Sequence, residues 1–442
     1  MPNRLISKIF AFILILSTQL AFAESSLHER IKQDYDAHLD ALFKHFHANP
    51  ELSLVEHKTA ARMAEELASA GFDVTTGVGG TGVVAMLSNG EGPMISMRAD
   101  MDGLPVEEKS GLPYASKATQ ISPITGKEVP VMQACGHDVH ITSLVGTARQ
   151  MAAMREQWSG TLMLIVQPAE ERVIGAKAMM EDGLYERFGT PDYGLAFHVA
   201  AGLEAGTVNV VEGSPYAGAD TVDIVIQGVG AHGASPHAGK DPVVLGAQIV
   251  LALQTLVSRE LPPRQAGVVT VGSFHAGTKH NIISDQALLQ LTVRNTNNKT
   301  RTTLLEGIKR IAENMGRVAG LPEDKLPEVT VSSESVPPTQ NTAELAKELD
   351  QVWRAKLGDA RVTNQMPQGM GAEDYPFFTT DPYIPSVYFA VGGTSKADLE
   401  AAMNGGPPVP SHHSPLFKIE PQPSVTTGVE ATVEALLHLF NK

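Results

Sequence analysis

Thr161-Leu-Met-Leu-Ile-Val166, followed at once by Gln167-Pro-Ala-Glu170-Glu171, is the stretch on which the fold turns. An unbroken apolar, β-branched run of this length reads as a strand buried on both faces. The proline ends it, and two adjacent carboxylates stand just beyond. Upstream, Gly82–Leu87 and Pro93–Met97 read as further short buried strands. Between these strands and Thr161, residues from His137 to about Gln157 have the spacing of an amphipathic helix. Further back, Leu27, Ile31, Leu39, Leu42, Phe43 and Phe46 recur at three- and four-residue intervals until Pro50 interrupts them. Ser53-x-x-Glu56 is then expected to form a capping box opening a helix through Leu67, closed at Gly71. Strand and helix alternate throughout. The pattern predicts an α/β domain with a mostly parallel central sheet and helices on both faces.

The rhythm changes after about Tyr216. Strands are expected at Thr221–Gln227, Val268–Phe274, Ala287–Arg294 and Glu328–Ser333, with helices at Pro242–Leu261 and Leu304–Val318. That β-α-β-β-α-β order predicts a ferredoxin-like α+β insert over residues 218–334. The α/β domain would then comprise residues 24–217 and 335–442, rejoined at Pro337-Pro338. No repeats or low-complexity stretches stand out.

The N-terminus carries Arg4 and Lys8, an apolar run over Ile9–Leu16, and the small-x-small site Ala21-Phe22-Ala23. This is the pattern of a secretory leader, residues 1–23, and predicts an exported chain, periplasmic or secreted. Glu24 rather than Cys follows the cut, so no lipid anchor is signalled. No later segment is expected to span a bilayer. The 442 residues hold 34 Lys plus Arg against 49 Asp plus Glu, a net charge of −15. That balance argues against nucleic acid as the main partner. The single cysteine, Cys135, excludes an intramolecular disulfide framework.

In α/β sheets, ligands collect outside the carboxyl ends of the strands. Four stretches therefore matter more than the fifteen histidines as a set. In Arg98-Ala-Asp100-Met-Asp102-Gly-Leu-Pro105, the two aspartates can bind metal, orient a ligating histidine or cap the turn. In Ala134-Cys135-Gly-His137-Asp138-Val-His140, Cys135 and His137 can converge on one cation, and His140 lies one helical turn further on. In the third, Glu170 and Glu171 point in different directions, so one can ligate while the other moves protons. The fourth set is His198 and the pair His412-His413. One thiolate, three imidazoles and a carboxylate exceed what one tetrahedral zinc needs, and suit two metals about 3.5–4 Å apart. Neither a G-x-S-x-G nucleophile elbow nor a phosphate-cradling G-x-x-x-x-G-K-[ST] is present.

Together these residues resemble peptidase family M20, specifically its subfamily D amidohydrolases, which include hippurate hydrolases, N-acyl-amino-acid amidohydrolases and auxin-conjugate hydrolases. The resemblance runs in order through His47-Ala-Asn-Pro50-Glu51-Leu52 with Glu56 and Thr59, then Arg98–Pro105, Ala134–Asp138 and Gln167–Glu171. It continues through Phe197-His198-Val199, Gly228–His232 with Pro236-His237, Asn281-Ile-Ile, Thr292-Val-Arg294, Glu373-Asp374 and His413-Ser-Pro415. It implies a dinuclear centre on Cys135, His137, Glu171, His198 and His413, with Cys135 bridging and His412 competing for the last position. It makes Glu170 the general base, and Asp100 and Asp138 partners that orient ligating imidazoles. The ions would be two divalent metals, zinc, manganese, cobalt or nickel. The substrate implied is an N-acyl amino acid or peptide.

By the same resemblance, Asn281 and Arg294 contact the substrate carboxylate, and His232 reaches the active site of a partner subunit. The insert becomes a lid through which two chains form a homodimer. The chain departs from the subfamily at Gln133, usually His, and at Ser284, where Pro is expected. Ala231 stands where Gly is common, and Tyr375 where Phe is common. None of these removes a ligand or the base, and all bear on acyl and amino-acid preference.

Overall fold

The computed structural model describes residues 26–442, so the leader expected at 1–23 lies outside the described residues. Three helical segments open the chain: α1 (Leu27–Asp34), α2 (Asp40–Ala48) and α3 (His57–Ser69). A π-turn at Tyr35–Leu39 joins the first two. Then come β1 (Asp73–Val78), β2 (Gly82–Asn89), β3 (Met94–Asp100), helix α4 (His137–Ala153), β4 (Gly160–Gln167), β5 (Tyr193–Glu204) and β6 (Val208–Asn209). The next elements are β7 (Gly218–Gln227), α5 (Pro242–Thr255), β8 (Gly267–Ala276), β9 (Gln286–Asn295), α6 (Asn298–Val318) and β10 (Glu328–Val331). β11 (Val362–Thr363), β12 (Ser386–Thr394) and helix α7 (Pro421–Phe440) complete the set used below.

The large sheet has the order β1-β2-β4-β3-β5-β12-β6-β11. Its centre is parallel, β3 pairing with β4 and β5, and β5 with β12. β1 and β2 close one edge antiparallel. Alternate residues of β4 serve different cores. Leu162, Leu164 and Val166 pack beneath α4 and α7, while Met163 and Ile165 join Met179, Tyr185 and Tyr388 on the other face. The fold is α/β with a mostly parallel sheet covered on both sides.

The small sheet, β8-β9-β7-β10, is antiparallel throughout and has its own core, built by Ile224, Leu289 and Leu291 against Ile249 of α5 and Ile308 of α6.

Three expectations are corrected. α4 is not amphipathic: from His137 to Ala148 every residue is buried, because the sheet and α7 enclose it. The Ser53–Glu56 capping box does not form. Glu51 caps α3 instead, its Oε2 accepting from the N–H groups of Lys58 and Thr59 at 2.8 and 2.7 Å. Ser53 donates to Asp102 at 2.6 Å, and Glu56 is buried elsewhere. Finally, Pro242–Glu260, which is α5 and the π-turn after it, is by length and mean hydropathy of 1.4 apolar enough to cross a membrane. One side of the run packs on the small sheet through Leu245, Ile249 and Leu253, while Val243, Val244 and Leu251 on the other stay exposed.

Candidate metal centre

β3, β4 and β5 lie side by side; the carboxyl ends of β3 and β4 deliver Asp100 and Asp102, Glu170 and Glu171, and His198 joins them from midway along β5. α4 brings His137 at its first residue. Gly136 before it has φ +84°, and a Cβ there would sit 2.4 Å from Val199, so only glycine lets the loop approach β5 this closely. Backbone strain collects at the same loops: Ala169 (φ +49°), Val173 (φ +51°) and His413 (φ +66°) are all left-handed without being glycine.

The five expected ligands are brought together as two triads that share Cys135. Cys135, His137 and His198 form one, and Cys135, Glu171 and His413 the other, the donor atoms of each lying within 4.8 Å of one another. Cys135 Sγ is 3.4 Å from His198 Nε2, and His413 Nε2 is 3.4 Å from Glu171 Oε2. Tetrahedral metal–ligand bonds of ~2.0–2.3 Å place their donors roughly 3.3–3.6 Å apart. His413, not His412, sits in a triad. His412 instead accepts the N–H of Ala201 at 3.3 Å, and burial between other histidines lowers it to about 4.

Two of the ligand-facing atoms lack partners. His137 Nε2 and Glu171 Oε1 are buried without a hydrogen bond. The same His137 nitrogen stands 3.6 Å from Asp100, 3.8 Å from Glu170 and 3.9 Å from Glu171. Burial opposes charge on this ring, but Asp100 and Asp102 outweigh it and hold it up to about 10. Burial and the neighbouring Glu171, Glu170 and Asp100 push the Cys135 thiol well above its usual range. Buried acceptors crowded around a thiol and an orphaned imidazole nitrogen call for positive charge. Divalent ions fit this donor set.

Two of the three imidazoles are oriented from behind. His137 Nδ1 meets the backbone oxygen of Asp102 at 2.8 Å, and His198 Nδ1 that of Val199 at 2.7 Å. Both rings therefore turn Nε2 toward the cluster. Asp102, whose role the sequence left open, ties the loops together. Its two carboxylate oxygens accept the N–H groups of Glu170 and Glu171 at 3.2 and 3.1 Å. Asp100 bonds His140 Nδ1 at 2.5 Å, while His140 Nε2 accepts the Val199 N–H at 2.9 Å. Both nitrogens of His140 are spent, so it is no ligand, and the expectation for Asp100 is corrected: the imidazole it bonds is His140, not a ligating one.

The expected role of Asp138 is corrected. Its carboxylate bonds His47 Nδ1 at 2.7 Å rather than a ligating imidazole, because at the second position of α4 it points back toward α2.

Glu170 is buried beside the first triad, and burial, then Glu373, Glu171, Asp100 and Asp374, raise its carboxyl well above the ordinary range. The wall behind it was not anticipated. Arg98, fully buried, donates to Asp100 at 2.8 Å and to Glu373 at 2.7 Å, and Tyr388 donates to Glu373 at 2.7 Å. The quoted Arg98 and Glu373-Asp374 motifs carried the signal, but not the pairing.

His232, Asn281 and Arg294 stand apart from the triads, in the small-sheet unit. His232 pairs with Ile282 beside Asn281, and both are exposed. Arg294 lies near the end of β9, half-buried, its Nε donating to Thr292 at 3.2 Å.

Residues 96–404, which take in Cys135, His137, Glu171, His198 and the small sheet but end before His413, match the description peptidase family M20/M25/M40. The chain belongs to this family. A hippurate hydrolase of Campylobacter jejuni is 35% identical over 347 residues, 78% of this chain and 86% of its own. An N-acetyl-L-cysteine deacetylase of Bacillus subtilis is 34% identical over 354 residues, 79% of each chain. Among solved structures, the Bacillus subtilis YXEP protein, described as a dinuclear metal binding peptidase from M20 family, superposes with a TM-score of 0.74 at 27% identity. That match covers 94% of this chain and 99% of the other. As an M20 protein, the chain is a hydrolase of the metal-binding peptidase and amidohydrolase group.

Proposed function

We propose that this M20 hydrolase cleaves the amide bond of N-acyl amino acids, releasing a carboxylic acid and the amino acid. The observation that carries the reading is the buried Glu170 set against two triads sharing one cysteine sulfur. Cys135, His137 and His198 would hold one divalent ion, and Cys135, Glu171 and His413 the other. When bound, such ions polarise a carbonyl and acidify water. Glu170 supplies the proton traffic. It takes a proton from the attacking water and returns it to the leaving amide nitrogen. Asp102 holds the Glu170-Glu171 loop against His137 while this happens. Asn281 and Arg294 would receive the substrate carboxylate, an arrangement suited to a guanidinium fork. The relatives named for hippurate hydrolysis and N-acetyl-L-cysteine deacetylation support the acyl-amino-acid class.

Glu170→Gln tests the mechanism. Turnover of hippurate and acetyl-Met should fall by at least about a hundredfold, with two metals per chain still found by elemental analysis. Activity close to wild type in that variant would sink the assignment. Free dipeptides cleaved faster than either acyl substrate would replace it with a dipeptidase.

A further inference from the structure

A cavity of about 650 Å³ opens beside the ligand cluster. Val199 to Leu203, which continue β5 past His198, form one side, and Tyr388 to Ala390 of β12 another. Tyr216, Met366 and His412 complete the rim. Ala390 is the register partner of His198, and the rings of His412 and Tyr216 lie 5.1 and 6.0 Å from that of His198. A molecule reacting at the triads therefore has this space directly beside it.

Among the described residues, the lining contains no Lys, Arg, Asp or Glu. Of its three amide side chains, Asn209 is already committed, donating to Gln365 O at 3.1 Å and accepting from Gln365 N at 2.6 Å and Thr363 Oγ1 at 2.8 Å, and Gln365 and Gln368 are neutral. A free carboxylate placed here would lose its water and meet no cation, a heavy cost. An acyl tail carries neither charge nor donor and loses nothing. Cavities of roughly 300–1,000 Å³ accept whole drug-sized ligands, so an acetyl group would leave most of this one to water.

We infer that the cavity beside His198 holds the acyl half of the substrate, and that the enzyme prefers long or bulky apolar acyl groups to acetyl. The inference rests on the amide-hydrolysis reading and names the substrate class within it.

The test is a series of N-acyl-methionines, from acetyl through butanoyl and hexanoyl to octanoyl, with metal-loaded enzyme. kcat/KM should rise about two- to fourfold for each methylene buried. Ala390→Leu, which adds volume to the cavity wall, should bring the octanoyl-to-acetyl ratio back toward one. A flat or falling series overturns the inference and leaves amide hydrolysis standing. Calorimetric binding of the same series to metal-loaded Glu170→Gln separates the two ideas. Affinity that climbs with chain length while wild type turns over none of the series would sink the hydrolysis reading and keep the cavity. Affinity indifferent to chain length overturns the cavity assignment whatever the rates.

Discussion

At the scale of single residues, His140 shows how the centre is held from outside. It lies one turn along α4 from His137, close enough to be mistaken for a ligand. Its Nε2 accepts the N–H of Val199, so its Nδ1 must carry the proton given to Asp100. Val199 in turn offers its oxygen to His198. His140 is thus a positioning residue, joining Arg98 and Asp100 to the backbone that orients His198. His140→Ala should weaken metal binding by about 10–100-fold, read by competition with a chromophoric chelator. His140→Gln, with an amide able to reach one of the two partners, should recover part of it. Unchanged affinity in both variants would leave His140 as packing alone. The contrast with the ligands explains what sequence can reveal. Cys135, His137 and Glu171 stand on loops or a helix start beyond the strands and His198 midway along β5, and residue type suffices to suspect them. The partners of His137 and His198 are backbone oxygens, which no residue code carries. His47 and Asp138 pair across ninety-one positions, so neither predicts the other.

Among elements, β4 declared itself because burial leaves no room for polar residues, and β9 by its alternation of buried apolar with more open polar positions. β1, Asp-Val-Thr-Thr-Gly-Val, did not: it is an edge strand, largely exposed until Val78, and its composition resembles a loop. The joints between elements are equally hidden. His47, at the end of α2, bonds Asp138 on α4 and, at 3.1 Å, Glu108 on the connecting loop, whose other oxygen accepts Ser116 N–H at 2.6 Å. One imidazolium thereby fastens three segments around the start of α4. Burial opposes its charge, yet hydrogen bonds from the ring to Asp138 and Glu108 hold it up to about 10. A folded value above the unfolded ~6.5 means a contribution complete below about pH 6.5 and lost as pH rises toward 10. His47→Gln leaves two buried carboxylates without their counter-charge and should cost about 3–5 kcal/mol near neutral pH. Denaturant titrations should show the gap to wild type narrowing between pH 7 and 10. A gap constant over that range would contradict the charge-based account.

For the whole molecule, the small-sheet unit poses a question the isolated chain does not answer. β8 is an edge strand with Phe274 exposed, and α5 beside it exposes Val243, Val244 and Leu251, the last 71% open to solvent. Gly246 of α5 lies against the Phe274 ring, so strand edge and helix face form one apolar surface. Proteins seldom leave such an edge bare. Antiparallel pairing of β8 with its own copy satisfies a twofold axis, continues the sheet and sets the two α5 helices side by side. This surface supports the proposed homodimer, and light scattering should report twice the chain mass. Leu251→Glu should weaken association by roughly 10²–10⁴-fold, since the twofold axis buries two copies of the leucine, each worth about 10–100-fold. The exposed His232 belongs to the same unit, and if it serves the partner's site, two inactive variants will complement each other. Glu170→Gln lacks the base but offers His232, whereas His232→Ala keeps the base and lacks the imidazole. In a mixed dimer one site receives both groups and the other neither. Equal mixing and re-equilibration should therefore restore about a quarter of wild-type activity, since half the dimers are mixed and each has one complete site. A wild-type mass of a single chain at micromolar concentration would remove the dimer. A dimer of the right mass whose mixtures stay inactive would instead confine His232 to its own chain.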